Sequence, residues 1–200
     1  WLSIVGKNFP RPEFQKMASC FAFFESNVHA PFYNKINEYL HLNTKEFYDS
    51  YVDTPVLKDR VEFINSVASN KDNLPLQIAT FSIIEGAILY SSFAYLRHFQ
   101  SGGKNKMKNL VAGNSFSARD EEIHSIAGAW LFRTLLSELA LKPEDQLSLY
   151  DEIYKLAEVV RQHEHEIVDM IFEKGKIEGI TAHQLKNFVE SLQKLISHQN

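Results

Sequence analysis

Between Leu74 and Leu96 the chain carries a single charged side chain, Glu85, set in Phe81-Ser-Ile-Ile-Glu-Gly-Ala-Ile-Leu-Tyr90. A carboxylate in so apolar a stretch is costly to ionise without a cation or strong hydrogen-bond donors, so something must compensate it. A buried Arg or Lys would serve, and so would a metal ion. Further on, Arg119-Asp-Glu-Glu-Ile-His124 places Glu121 and His124 three residues apart. At that spacing they share a helix face, and a carboxylate oxygen and an imidazole nitrogen can address one ion. Glu25 and His29, four apart in Phe24-Glu-Ser-Asn-Val-His-Ala-Pro31, repeat the arrangement beside an aromatic stripe. Alone, the Glu121/His124 pair reads more readily as a charge cluster on an exposed helix.

Taken together, two helices bearing a Glu/His pair and a third bearing a lone buried Glu make up most of one known constellation. Di-iron carboxylate bundles use two lone carboxylates and two such pairs, all projecting inward, and five of those six ligands are present here. Other reactive-looking residues have plainer readings. His163-Glu164-His165-Glu166 resembles a metal tract, but neighbours on a helix point about 100° apart, so it reads as a solvated face. Cys20, among Phe residues, reads as a small core residue. Trp130 is expected in the core, and Lys104-Asn-Lys-Met-Lys108 is expected to be an exposed helix start.

The elements that position these residues are helical almost throughout. Met17, Phe21, Phe24, Val28, Phe32 and Ile36 trace one stripe on a first helix opened by Pro12 and kinked at Pro31. Short helices are expected at 45–52 and 56–69, and a long one from Asn73 to Gln100, stopped by Ser101-Gly-Gly103. Others follow over 105–140, disturbed near Gly113-Asn114, then from Pro143 to Lys174 and from Ile180 to His198. The expected fold is an all-α bundle forming a single domain over residues 1–200. The 44% apolar and 23% charged composition over 200 residues excludes disordered and low-complexity classes. A net charge of -4 argues against a nucleic-acid partner. Gln77, Thr80, Ser82, Ser91 and Ser92 favour a buried bundle helix over a membrane span for the apolar stretch. One cysteine and no leader-like segment give a cytoplasmic reading.

The sequence resembles the small, radical-generating (beta) subunit of class I ribonucleotide reductase, a ferritin-like family with additional helices. The resemblance is carried by Pro12-Glu13 ahead of Glu25, by His29 with Tyr33 four later, by Ile84-Glu85-Gly86, and by Ala118-Arg119-Asp120-Glu121-x-x-His124. It implies that Glu25, His29, Glu85, Glu121 and His124 hold a dinuclear iron or mixed manganese–iron centre. It implies that Asp120 hydrogen-bonds His29 and fixes its tautomer, and that Tyr33 carries a stable radical. The implied function is ribonucleoside-diphosphate reductase activity: the oxidant passes to a large catalytic subunit that makes deoxyribonucleotides, and the small subunit works as a homodimer. A di-iron oxygenase or oxidase acting on a small substrate, and a ferritin-like iron-binding protein, are the alternative readings.

Three departures from the family pattern shape the expectations. The first pair is Glu-x-x-x-His where the family has Glu-x-x-His, so one residue must be absorbed, as a π-bulge near Pro31. With that shift Phe32 competes with Tyr33 for the radical position, and a phenylalanine there would suit the manganese–iron variant; the offset from His29 favours Tyr33. A sixth ligand, an Asp, is expected upstream of Trp1, and a tail with a relay tyrosine beyond Asn200. On this reading the 200 residues are the ordered core of a longer chain.

Overall fold

A computed structural model describes residues 1–70 and 72–199, with side chains described through Leu192. The chain is all-α, and an isolated bridge between Ile177 and Ile180 is the β feature among the described residues. It divides into two compact units, Trp1–Asn70 and Lys71–Asn200.

In the first unit a π-helical turn, Leu2–Gly6, buries Ile4 and Val5 and packs on α1 (Pro12–Phe24), where Ala18 is fully buried. Pro12 opens α1 with the fixed φ that suits a first turn. The Gln15 amide donates to the carbonyl of Phe9 at 2.8 Å, tying the two together. Trp1 meets Phe21 edge-on, with ring centroids 4.7 Å apart. The chain passes from α1 through a second π-helical turn, Glu25–His29, into α2 (Ala30–Tyr39), with Pro31 in the first turn of α2. Here the extra residue between Glu25 and His29 is taken up: a π-turn widens the helix by one residue and returns both side chains to one face. Thr44 caps α3 (Lys45–Asp53) by accepting from the Phe47 amide at 3.2 Å, and Pro55 opens α4 (Pro55–Ser69).

The second unit is built on α5 (Leu74–Ala87), α6 (Tyr90–Arg97), α7 (Lys108–Leu139), α8 (Pro143–Phe172) and α9 (Ala182–Gln199). The Asn73 side chain caps α5 by accepting from Leu76 N at 3.1 Å. α5 and α6 run antiparallel to α7, and polar side chains mark the register. Ser82 pairs with Ser125, the Tyr90 hydroxyl donates to the Ala118 carbonyl at 3.1 Å, and the Asn114 amide donates to the Phe93 carbonyl at 3.1 Å. Gly128 permits the closest approach, because a Cβ there would stand 2.9 Å from Ser82 Cβ. α8 contributes a seam of Leu149, Ile153, Val160, Ile167 and Val168, all buried.

Several expectations are corrected here. The helix read from Asn73 to Gln100 is broken: Ile88 is extended, and Leu89 has φ 80°, in the left-handed region that costs an L residue about 1–2 kcal/mol. A short 3-10 segment, His98–Gly103, follows α6. By contrast α7 runs unbroken through Gly113-Asn114. Trp130 is 49% exposed, in line with exposed Phe116, Ile123 and Ile126, so α7 carries apolar residues on an outer face as well as an inner one. Cys20 is exposed, since Ala18 takes the buried position against the first turn. Glu164, read as part of a solvated face, is fully buried. The stretch Leu74–Gly103 is long and apolar enough to cross a membrane, yet 61% of its apolar window is buried within the protein, as in a core helix.

Candidate metal centre

α5 delivers Glu85 from its last turn, and α7 delivers Glu121 and His124 from one face of its middle. The antiparallel register brings the three together. His124 Nδ1 lies 3.2 Å from Glu85 Oε2 and 3.4 Å from Glu121 Oε2. A donor atom from each of the three lies within 4.8 Å of the others. Their side chains are 12%, 8% and 2% exposed for Glu85, Glu121 and His124. The compensation that Glu85 requires therefore comes from an imidazole.

The charge balance of this cluster is what makes it a candidate for a cation. Two carboxylates face one imidazole in a mostly buried space, where charge is poorly solvated unless it is compensated. Burial pulls the His124 pKa down, but hydrogen bonds to the Glu121 and Glu85 carboxylates, with their charge, outweigh it and raise the imidazole to about 9. Oxygen plus imidazole donors suit iron or manganese. The donor set fits such an ion.

In the first unit the π-turn sets Glu25 Oε2 3.3 Å from His29 Nδ1, with His29 buried and Glu25 half-buried. This pair has the same carboxylate–imidazole chemistry as Glu121 and His124. Tyr33 stands four residues on, in α2; its hydroxyl oxygen is buried, and its ring meets Phe32 edge-on at 5.0 Å. Asp120 is half-buried on α7, next to Glu121.

Two residues in the second unit escaped the sequence reading. Tyr90, half-buried, is held above the usual phenol range by burial first and then by the charges of Glu121, Glu122 and Glu85. Its position five residues beyond Glu85 was a usable signal only with the helix break known. Glu164 accepts from Leu89 N at 3.2 Å and from Ser91 N at 2.9 Å, and so faces the end of the helix that carries Glu85. Nothing local to His163-Glu164-His165-Glu166 announces this.

An all-α unit that presents two carboxylates and an imidazole to one buried point has the arrangement of the carboxylate metal bundles. The family profile "Ribonucleotide reductase, small chain" matches residues 1–196, and the chain belongs to that family. It is similar to the ribonucleoside-diphosphate reductase small subunit of Saimiriine herpesvirus 2 (strain 11), 25% identical over 170 residues, covering 82% of this chain and 52% of that protein. It is also similar to the probable ribonucleoside-diphosphate reductase small subunit 048L of Invertebrate iridescent virus 3, 26% identical over 201 residues, covering 90% of this chain and 52% of that one. The small subunit of Human herpesvirus 2 (strain 333) is 26% identical over 121 residues, 58% of this chain and 35% of that protein. The chain thus spans about half the length of the first two relatives.

Proposed function

We propose that this chain serves as the metal-bearing core of a ribonucleoside-diphosphate reductase small subunit, which generates a radical and passes it to a large catalytic subunit. The observation that carries the reading is the buried cluster of Glu85, Glu121 and His124 on a chain of this family. Glu85, Glu121 and His124 are assigned as ligands in the second unit, and Glu25 and His29 as ligands in the first. When bound, a dinuclear iron or manganese–iron centre supplies the one-electron oxidising power.

The protein's own part is to bind, orient and keep dry. Glu85, Glu121 and His124 provide a preformed negative pocket whose proton on His124 must leave as a cation enters. The π-turn presents Glu25 and His29 as a second carboxylate–imidazole pair. Asp120 is assigned to hydrogen-bond His29, which fixes the ring that donates to the metal. Tyr33 is assigned as the radical carrier, its buried hydroxyl shielded beside Phe32. The active form is proposed to be a cytoplasmic homodimer docked on the large subunit. Nucleotide reduction takes place on that partner.

The test is reconstitution with ferrous iron and oxygen, followed by absorption and paramagnetic resonance. A phenoxyl signal that vanishes in Tyr33→Phe with metal retained supports the reading. Metal uptake with no phenoxyl signal removes Tyr33 as the radical carrier and moves the stored oxidant to a mixed manganese–iron centre.

A further inference from the structure

α5 and α6 form one largely apolar stretch in sequence, with Gly86 in the last turn of α5 and no Pro between Leu76 and Arg97. In an unbroken helix the Leu89 amide would close on the Glu85 carbonyl and the Ser91 amide on the Ala87 carbonyl. Both amides donate to Glu164 instead, to Oε1 at 3.2 Å and to Oε2 at 2.9 Å. Glu164 has 0% exposure, in the α8 seam with Val160, Ile167 and Val168. A carboxylate is strongly disfavoured in such a seam unless its oxygens are used, and here one receives the main-chain N–H of Leu89, which precedes α6, and the other that of Ser91, its second residue. It is an N-cap supplied by another helix.

The position of the break matters because of what precedes it. α5 ends at Ala87, two residues beyond Glu85, so Glu85 stands in the final turn and the Leu89 amide does not close over it. We propose that Glu164 is a positioning residue for the metal centre: by holding the Leu89 and Ser91 amides it ends α5 beneath Glu85 and sets the Glu85 carboxylate opposite His124. This rests on the assignment of Glu85 as a ligand. Two acceptors are needed, so glutamine cannot substitute, since its NH2 would face one of the two amides.

The experiment measures Mn(II) affinity of the whole chain, from the resonance of the free aqua ion, alongside amide exchange over residues 85–92 of the metal-free protein. Glu164→Gln is expected to weaken Mn(II) binding by about tenfold or more, as loss of a ligand-orienting group does. It should also speed exchange at Leu89 and Ser91. Glu164→Asp, which keeps both acceptors on a shorter arm, should recover part of each effect and serves if Glu164→Gln fails to fold. Val160→Ala, a cavity one turn away in the same seam, should lower stability yet leave Mn(II) affinity within about twofold. Wild-type affinity in Glu164→Gln, or an equal loss in Val160→Ala, overturns the proposal while leaving the ligand assignment intact. No Mn(II) uptake by the wild type overturns both, and is told apart because the wild type itself is silent.

Discussion

Ser82 and Ser125 exchange hydrogen bonds across α5 and α7, each hydroxyl donating to the other's main-chain carbonyl, at 2.7 and 2.9 Å. The exchange fixes the register of the two helices one turn from the point where Glu85 faces Glu121 and His124. It requires close backbone approach, which Gly128 allows because a side chain there would meet Ser82 Cβ at 2.9 Å and its Cα at 3.2 Å. Gly128→Ala must therefore push α5 away from α7, at a cost of roughly 1–3 kcal/mol typical of overpacking. The loss appears as a lower urea midpoint, and Ser82→Ala should be milder because it removes one hydrogen bond without inserting volume.

The metal-free protein should lose stability as pH rises through the His124 range. His124 is raised to about 9 in the folded state from an ordinary value of 6.5. A folded pKa above the unfolded one contributes stability that is fully present below the unfolded value and is lost as pH passes the folded one. Thermal melts in chelator should therefore show a decline between about pH 6.5 and 9 that flattens in His124→Gln. An identical slope in the variant would assign the decline to other groups.

The same proton predicts a release on metal uptake. Binding to His124 needs the neutral ring, so loading at neutral pH should expel a proton, detectable in weakly buffered solution with an indicator dye. His124→Gln should bind weakly and release less.

Much of this architecture was legible from spacing, and the exceptions have identifiable causes. The helical periods located most helices, and the extra residue between Glu25 and His29, set against the Glu-x-x-His pattern of the family it resembles, pointed to a π-bulge near Pro31; the structure has a π-turn at Glu25–His29. The break at Leu89 was invisible because its cause is a carboxylate 75 positions away in sequence. Glu164 looked like one member of a polar tract because its immediate neighbours are polar, whereas its burial follows from the phase of α8, in which Val160, Ile167 and Val168 share its seam. Trp130 was misplaced because α7 has apolar residues on two faces, and periodicity alone does not say which face is covered.

Tyr33→Phe separates the radical reading from simple metal storage. The variant keeps the ring that meets Phe32 edge-on and removes only the hydroxyl. After iron and oxygen treatment the wild type should show a sharp phenoxyl absorption and the variant none, at equal metal content. A radical that persists unchanged in the variant would reassign the carrier.

The most direct measurement of the central claim is elemental analysis of the chain after anaerobic iron loading and desalting, with Glu85→Ala alongside. A buried cluster of two carboxylates and an imidazole should retain about one ion per chain or more, and the variant should lose most of it. Less than about half an ion per wild-type chain, or equal retention in Glu85→Ala, would contradict the assignment of Glu85, Glu121 and His124 as a metal site.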